Sequence, residues 1–413
     1  MINKFINIVP KVELHIHLEG TIDNNIIQKM GGTIITSSNP FNIFNNNIQI
    51  LCNNFYNNIN ILLLETFKNR LTQNIFYTQY HYSALKIMQL TTLNVQQQFD
   101  IIINCINNIK KNSIYQYIYI DFILDIPRGN AYIIYPYFKN GDYFNEIITL
   151  INNENKEYNK YIRGVGIGGR DENNTIEHYK IEFDKILKQN IPIIPHAGEF
   201  GPTHVTCNSI KIALQYSNRL GHGVRILECT DITKKPVLDI SITSNLIFIN
   251  DVKYTKNTHP IKDLIKKDYP ITLSTDDPGL LYRLDDPQKN IDLLYEYNLL
   301  IDILGTSYSI PNKFKIITKI ILNGIDNINN YTNKNNIFNF LLNIKNQKII
   351  EVVLLYKEYI NNIYISTPTH FIDSNEFNNL LIFFDCDLFV ADNYFKNKYK
   401  KYKSKYETLK KET

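Results

Sequence analysis

The chain has 413 residues, 44% hydrophobic and 20% charged, with a formal net charge of +4. That length can bury a sizeable core, as one large α/β domain or two smaller ones, and so small a charge excess points to neither nucleic acid nor membrane as a partner. The basic excess gathers in a Lys/Tyr-rich end, residues 396–411.

The first ten residues lack the long apolar run and small-residue cleavage site of a signal peptide. The apolar windows 59–64 and 380–390 are too short or too interrupted to span a bilayer, so a cytoplasmic protein is expected. Cys52, Cys105, Cys207, Cys229 and Cys386 are scattered and form no Cys-x-x-Cys pair. The expectation is free buried thiols in a reducing compartment, with neither a disulfide framework nor a thiolate zinc knuckle.

In chain order, short apolar runs rich in β-branched and aromatic residues fall at 12–18, 75–82, 118–126, 164–168, 191–196, 219–223, 239–244 and 271–274. Helical stretches separate most of them, among them 96–110, 175–189 and 206–216; the gaps near Arg170 and over 223–236 are less clear. Parallel neighbours need such crossovers, and eight strands close a (β/α)8 barrel, although the count alone also admits a doubly wound open sheet. The barrel is favoured because His15, His17, His196, His222 and Asp276 lie within or at the C-terminal ends of the runs, where barrel enzymes build active sites. Helices are expected at 290–304, 313–331 and 345–360, which follow Pro278. The organisation expected is a barrel domain over 1–350 and a C-terminal extension over 351–413.

Four motifs carry chemistry, and each has a plain alternative. On a strand, residues two apart share a face, so His15 and His17 can share a zinc ion or be two surface histidines of an alternating strand. His196-Ala197-Gly198-Glu199 offers a ligand, two small residues and an acid; equally, Glu199 could open a helix. Gly221-His222-Gly223 suits a ring facing a small ligand, or a glycine-rich turn. Asp276-Asp277-Pro278 pairs carboxylates that a cation would compensate, or closes a strand with a turn. Together, three histidines and one aspartate form a nitrogen-and-oxygen donor set suited to zinc.

Taken in order, Lys11 to Gly20, His196-Ala197-Gly198-Glu199, Gly221-His222-Gly223 and Thr275-Asp276-Asp277-Pro278 resemble the adenosine/adenine deaminase family of metal-dependent hydrolases, over roughly residues 8–345. Thr258-His259-Pro260-Ile261 also looks like that family. The resemblance implies a (β/α)8 TIM barrel and one Zn2+ held by His15, His17, His196 and Asp276. It implies Glu199 protonating purine N1, His222 orienting or deprotonating the attacking water, and Asp277 hydrogen-bonding N7. The zinc deaminases with a Pro-Cys-x-x-Cys signature are a different solution, and that signature is absent.

Three departures stand out. The family's Glu-x-Arg on the second strand is replaced by Gln79-Tyr80-His81. Arg170 is inserted in Gly168-Gly169-Arg170-Asp171-Glu172, leaving Gly169 as the choice to face the purine. Ser244-Asn245 is kept, but Ile242-Thr243 precedes it. Glu19 bears on the substrate: adenosine-specific members often carry Asp there for the ribose 5′-hydroxyl, whereas adenine-specific members and many bacterial nucleoside enzymes carry Glu. The function expected is deamination of adenosine, and of 2′-deoxyadenosine, in purine salvage. Adenine, AMP or N6-methyl-AMP are the alternative substrates, and an inactive barrel serving as a scaffold is the alternative class. The partner expected is a small purine nucleoside or base.

Overall fold

The computed structural model describes residues 2–9, 11–37, 39–116, 118–128, 142–152, 157–171, 176–249 and 252–328. The expected extension over 351–413, with its basic tail and the helix over 345–360, lies outside them. Eight strands follow one another around a single sheet in the order β1 to β8. They are β1 Lys11–His17, β2 Ile75–Tyr82, β3 Tyr119–Pro127, β4 Ile162–Gly168, β5 Ile193–Ala197, β6 Arg219–His222, β7 Val237–Ile240 and β8 Ile271–Leu273. All seven neighbouring pairs are parallel. An Ile16–Asp276 bridge, with His17 N–H donating to Asp276 O at 2.9 Å, joins β1 to the segment after β8. The expected TIM-type barrel is therefore the architecture found, rather than an open sheet.

The strands form where they were expected because parallel strands covered on both faces read as near-continuous apolar runs. All eight residues of β2 are buried. Helices supply the crossovers, and their apolar stripes face the sheet. The helix Val95–Lys110 starts with a capping box, in which Asn94 and Gln97 each bond the other's backbone N–H. Between β1 and β2 the Asn-rich stretch forms two long helices, Pro40–Asn53 and Phe55–Thr72. Apolar packing there outweighs the weak helix propensity of Asn and Ile.

The barrel interior is polar as well as apolar. Arg219 on β6 donates to Asp239 Oδ2 at 2.7 Å, to Gln79 Oε1 at 2.7 Å and to Leu14 O at 2.6 Å, bridging β7, β2 and β1. Tyr77 and Arg163 both donate to Asp121 Oδ2. Gln79, which replaces a charged residue of the family pattern, is thus a neutral acceptor for an interior arginine.

Two expectations need correction. The run 239–244 is not all strand: β7 ends at Ile240, and Ile242–Phe248 is a helix. The buried carboxylate of Glu296 accepts the N–H groups of Ile242 and Thr243, satisfying donors that a helix start leaves without partners. Nor are all the cysteines free. Cys207 and Cys229 form a disulfide, their Cα atoms 5.4 Å apart, while Cys52 and Cys105 are free and buried. The helix after β5 and the turn after β6 lie side by side, which brings together two thiols that are 22 residues apart in sequence. Among the described residues, no helix is long and apolar enough to cross a membrane.

Candidate active site

The site sits on the barrel seam. β1 places His15 and His17 two residues apart, their ring centroids 5.7 Å from each other, and the segment after β8 brings Asp276 against both. Asp276 Oδ1 lies 3.3 Å from His17 Nε2 and 3.6 Å from His15 Nε2. His196, from β5, points its Nε2 to within 3.2 Å of His17 Nε2. Each of the four residues offers a ligand atom, and these atoms all lie within 4.8 Å of one another.

Neither ring nitrogen of buried His15 has a hydrogen-bond partner. Leaving such groups unpaired costs free energy, and a cation at their centre removes the cost. The donor set therefore fits a metal ion. Burial and the neighbouring His81 hold His15 down to about 4, so it stays neutral and able to ligate. Burial opposes charge on His17 too, but Asp277, Asp276 and Asp125 outweigh it and push that ring up to about 10, so a metal competes there with a proton. His17 alone of the four is partly exposed.

Beside these donors stands an acid–base pair. His222 Nε2 lies 3.3 Å from Glu199 Oε2, and both residues are buried. Burial, with Asp276 and Asp171 adding their charge, raises Glu199 well above the usual carboxylate range, so it stands protonated. Burial lowers His222 to about 3, so it stands neutral. An acid holding its proton faces a base lacking one.

The backbone is strained here. His222 has φ 62° and Asp276 φ 64°, in the left-handed region that non-glycine residues avoid. Two side chains hold them: Ser244 Oγ donates to Asp276 Oδ2 at 2.6 Å, and Asn245 Nδ2 lies 3.2 Å from His222 Nδ1. The Ser-Asn pair thus reaches both residues despite the changed residues before it. Gly221 is bare because the His15 ring packs on it; an added Cβ would stand 2.6 Å from His15 Cε1.

Asp277, half-buried beside Asp276, keeps Oδ1 unpaired, and burial with its neighbour's charge pushes it up to about 8. Gly20 leaves room for that carboxyl, since an added Cβ would collide with Oδ1. Glu19 is buried in the turn after β1, accepting Ser83 N–H at 2.9 Å with Oε2 unpaired; burial pushes it up to about 7. Gly169 adopts φ 104° against Arg128, while Gly168 lies nearer His196, whose Cε1 would be 3.6 Å from an added Cβ. His259 accepts the Ile261 N–H at a helix start.

Sequence reasoning passed over His81 and Asp125. His81 Nδ1 lies 2.8 Å from Asp125 Oδ1, and Asp125 Oδ2 lies 3.4 Å from His17 Nδ1. Asp125 reaches inward past β4 because Gly166 has no side chain to block it. The signal was present in Gln79-Tyr80-His81, where the alternation of β2 turns Gln79 and His81 to one face. Asp171 and Arg128 were likewise unassigned; they brace the turn that carries Glu199.

The adenosine deaminase family model matches residues 142–298. The adenosine deaminase of Plasmodium gallinaceum is 34% identical over 143 residues, 33% of this chain and 39% of that one, so the chain spans about two fifths of that relative's length. The Clostridium kluyveri adenosine deaminase matches far more, 25% identical over 79% of this chain and 91% of that one. The Crocosphaera subtropica adenine deaminase is 23% identical over 66% and 83%.

Among solved structures, a Burkholderia ambifaria amidohydrolase with bound Zn shares the fold at TM-score 0.64 and 15% identity, covering 86% of this chain and 94% of its own. The Arabidopsis N6-methyl-AMP deaminase does so at TM-score 0.61 and 15% identity, covering 86% and 99%. Similarity to the clostridial enzyme runs over most of the chain, the adenosine deaminase family model matches the middle of the barrel, and the solved structures share its fold.

Proposed function

We propose that this chain hydrolyses the 6-amino group of adenosine, and of 2′-deoxyadenosine, to give inosine or deoxyinosine plus ammonia, with one zinc ion on His15, His17, His196 and Asp276. The observation that carries the reading is the Glu199–His222 pair, 3.3 Å apart and facing Asp276 across a buried donor cluster. Zinc, when bound, supplies Lewis-acid polarisation of the attacking water.

The side chains do the rest. His222 orients the water and accepts its proton as oxygen attacks C6. Protonated Glu199 delivers a proton to N1, which draws electrons away from C6. Asp277, protonated near neutral pH, donates to N7. Gly169 lets the backbone approach the purine closely. The amino group takes the proton held by His222 and leaves the sp3 carbon as ammonia, and the C6 hydroxyl proton returns to Glu199 as the carbonyl forms.

Glu19 supports a nucleoside over a nucleotide. Its unpaired Oε2 can accept a ribose hydroxyl, and a 5′-phosphate would bring its charge against the Glu19 carboxyl. Adenine is the second reading, favoured by the adenine deaminase among the relatives. An ammonia-release assay across adenosine, deoxyadenosine, adenine, AMP and N6-methyl-AMP tests this. We expect the highest kcat/KM on adenosine; a preference for adenine or a monophosphate would overturn the substrate assignment. Glu199→Gln should keep its metal and lose about 10²–10⁴-fold in kcat. Full activity in that variant would remove Glu199 from the chemistry.

A further inference from the structure

We propose that Asp171, paired with Arg128, is a positioning residue that aims Glu199 at the purine; this role rests on the deaminase reading above. Glu199 lies on the short turn between β5 and the helix Thr203–Tyr216, just after Gly198, whose φ of 74° lets the chain reverse. A side chain on such a turn points correctly only if the peptide planes on either side are held.

Asp171 holds both. Its Oδ2 accepts the N–H of Glu199 at 2.9 Å and that of Phe200 at 3.1 Å. Its Oδ1 accepts Ser209 Oγ at 2.5 Å and lies 3.3 Å from Arg128 Nη2. The carboxylate thus accepts three hydrogen bonds and faces one guanidinium, and the residue is buried.

Arg128, at the end of β3, completes the brace. The same Nη2 donates to His196 O at 2.5 Å, so one guanidinium touches the backbone of a ligand residue and the carboxylate that orients the acid. Arg170 grips the turn a second time, its guanidinium 5.2 Å over the Phe200 ring. The residue inserted into the glycine-acid segment thereby gains a purpose: the loop after β4 holds the Glu199–Phe200 turn by a carboxylate on one residue and a cation on the residue before it.

Asp171→Asn is the informative change, because it keeps shape while replacing acceptor sites with an NH2 donor. We expect kcat to fall about 10–100-fold, since small misplacement of a reacting group costs up to about 10²-fold. KM and metal content should stay within about threefold of wild type. In a Glu199→Gln background the same change should cost nothing further, because residues acting through one group are not additive. Ser209→Ala, which removes one support of Asp171, should show the same pattern more weakly and serves if Asp171→Asn does not fold. Multiplying losses, or a loss confined to KM, would overturn the positioning role and leave the deaminase reading intact. A wild-type protein inactive on every purine tested would overturn both.

Discussion

Arg219 is the interior residue whose removal is most readily costed. Its three donors reach acceptors on three other strands at 2.6–2.7 Å, and its side chain is nearly inaccessible. Arg219→Met keeps the stem and removes every donor. Asp239 would keep only the Thr272 hydroxyl at 2.6 Å, leaving a buried charge without its cation. Breaking one side of a buried pair costs about 3–5 kcal/mol, and the Gln79 and Leu14 oxygens lose partners as well. At an unfolding entropy of about 2.1 cal/mol/K per residue over roughly 300 residues, a 4 kcal/mol loss lowers Tm by about 6 °C. The assay is thermal unfolding followed by circular dichroism at pH 7. Arg219→Met/Asp239→Asn should recover part of the loss, because the uncompensated charge goes. Zinc stoichiometry belongs in the same experiment, since Asp239 Oδ2 lies 4.0 Å from His15 Nδ1. A drop below about 2 °C, or no recovery in the double variant, would refute the claim that this arginine is an electrostatic tie across the barrel.

Gly221→Ala should fold yet weaken metal binding by about 10–100-fold, as disturbed ligand support commonly does; its Cβ would press on His15 Cε1 and stand 3.3 Å from His196 Cα. Competition with a chelator measures this, and wild-type affinity would contradict it. Lys11 is buried at the base of β1, donating to Ile6 O and Val9 O, and burial lowers it to about 7. The unfolded chain then binds the extra proton between pH 7 and about 10.5, so stability rises with pH across that window; the charging penalty is complete below pH 7. Urea melts at pH 7 and 9.5 should differ by roughly 3 kcal/mol in wild type and by much less in Lys11→Met, relative to whatever other groups contribute. Equal slopes for the two proteins would dismiss Lys11 as the source.

By itself, the amino-acid sequence determined the strands and much of the donor set. Apolar β-branched runs mark strands because that pattern is local, and His15-x-His17 shares a face because alternation is a property of one strand. The interaction partners were decided only by the tertiary structure, because they depend on which strand ends meet. Asp276 reaches His15 and His17 through closure of the barrel between its first and last strands. The left-handed backbones of His222 and Asp276 carry no composition signal, since neither residue is a glycine, and are held by side chains from the helix after β7. Cys207 and Cys229 read as scattered thiols until the helix after β5 and the turn after β6 brought them together. Gln79 and His81 read as departures until Arg219 and Asp125 arrived from other strands. A chain records its own periodicity over a few residues, while a contact across a barrel is recorded only in the closed fold.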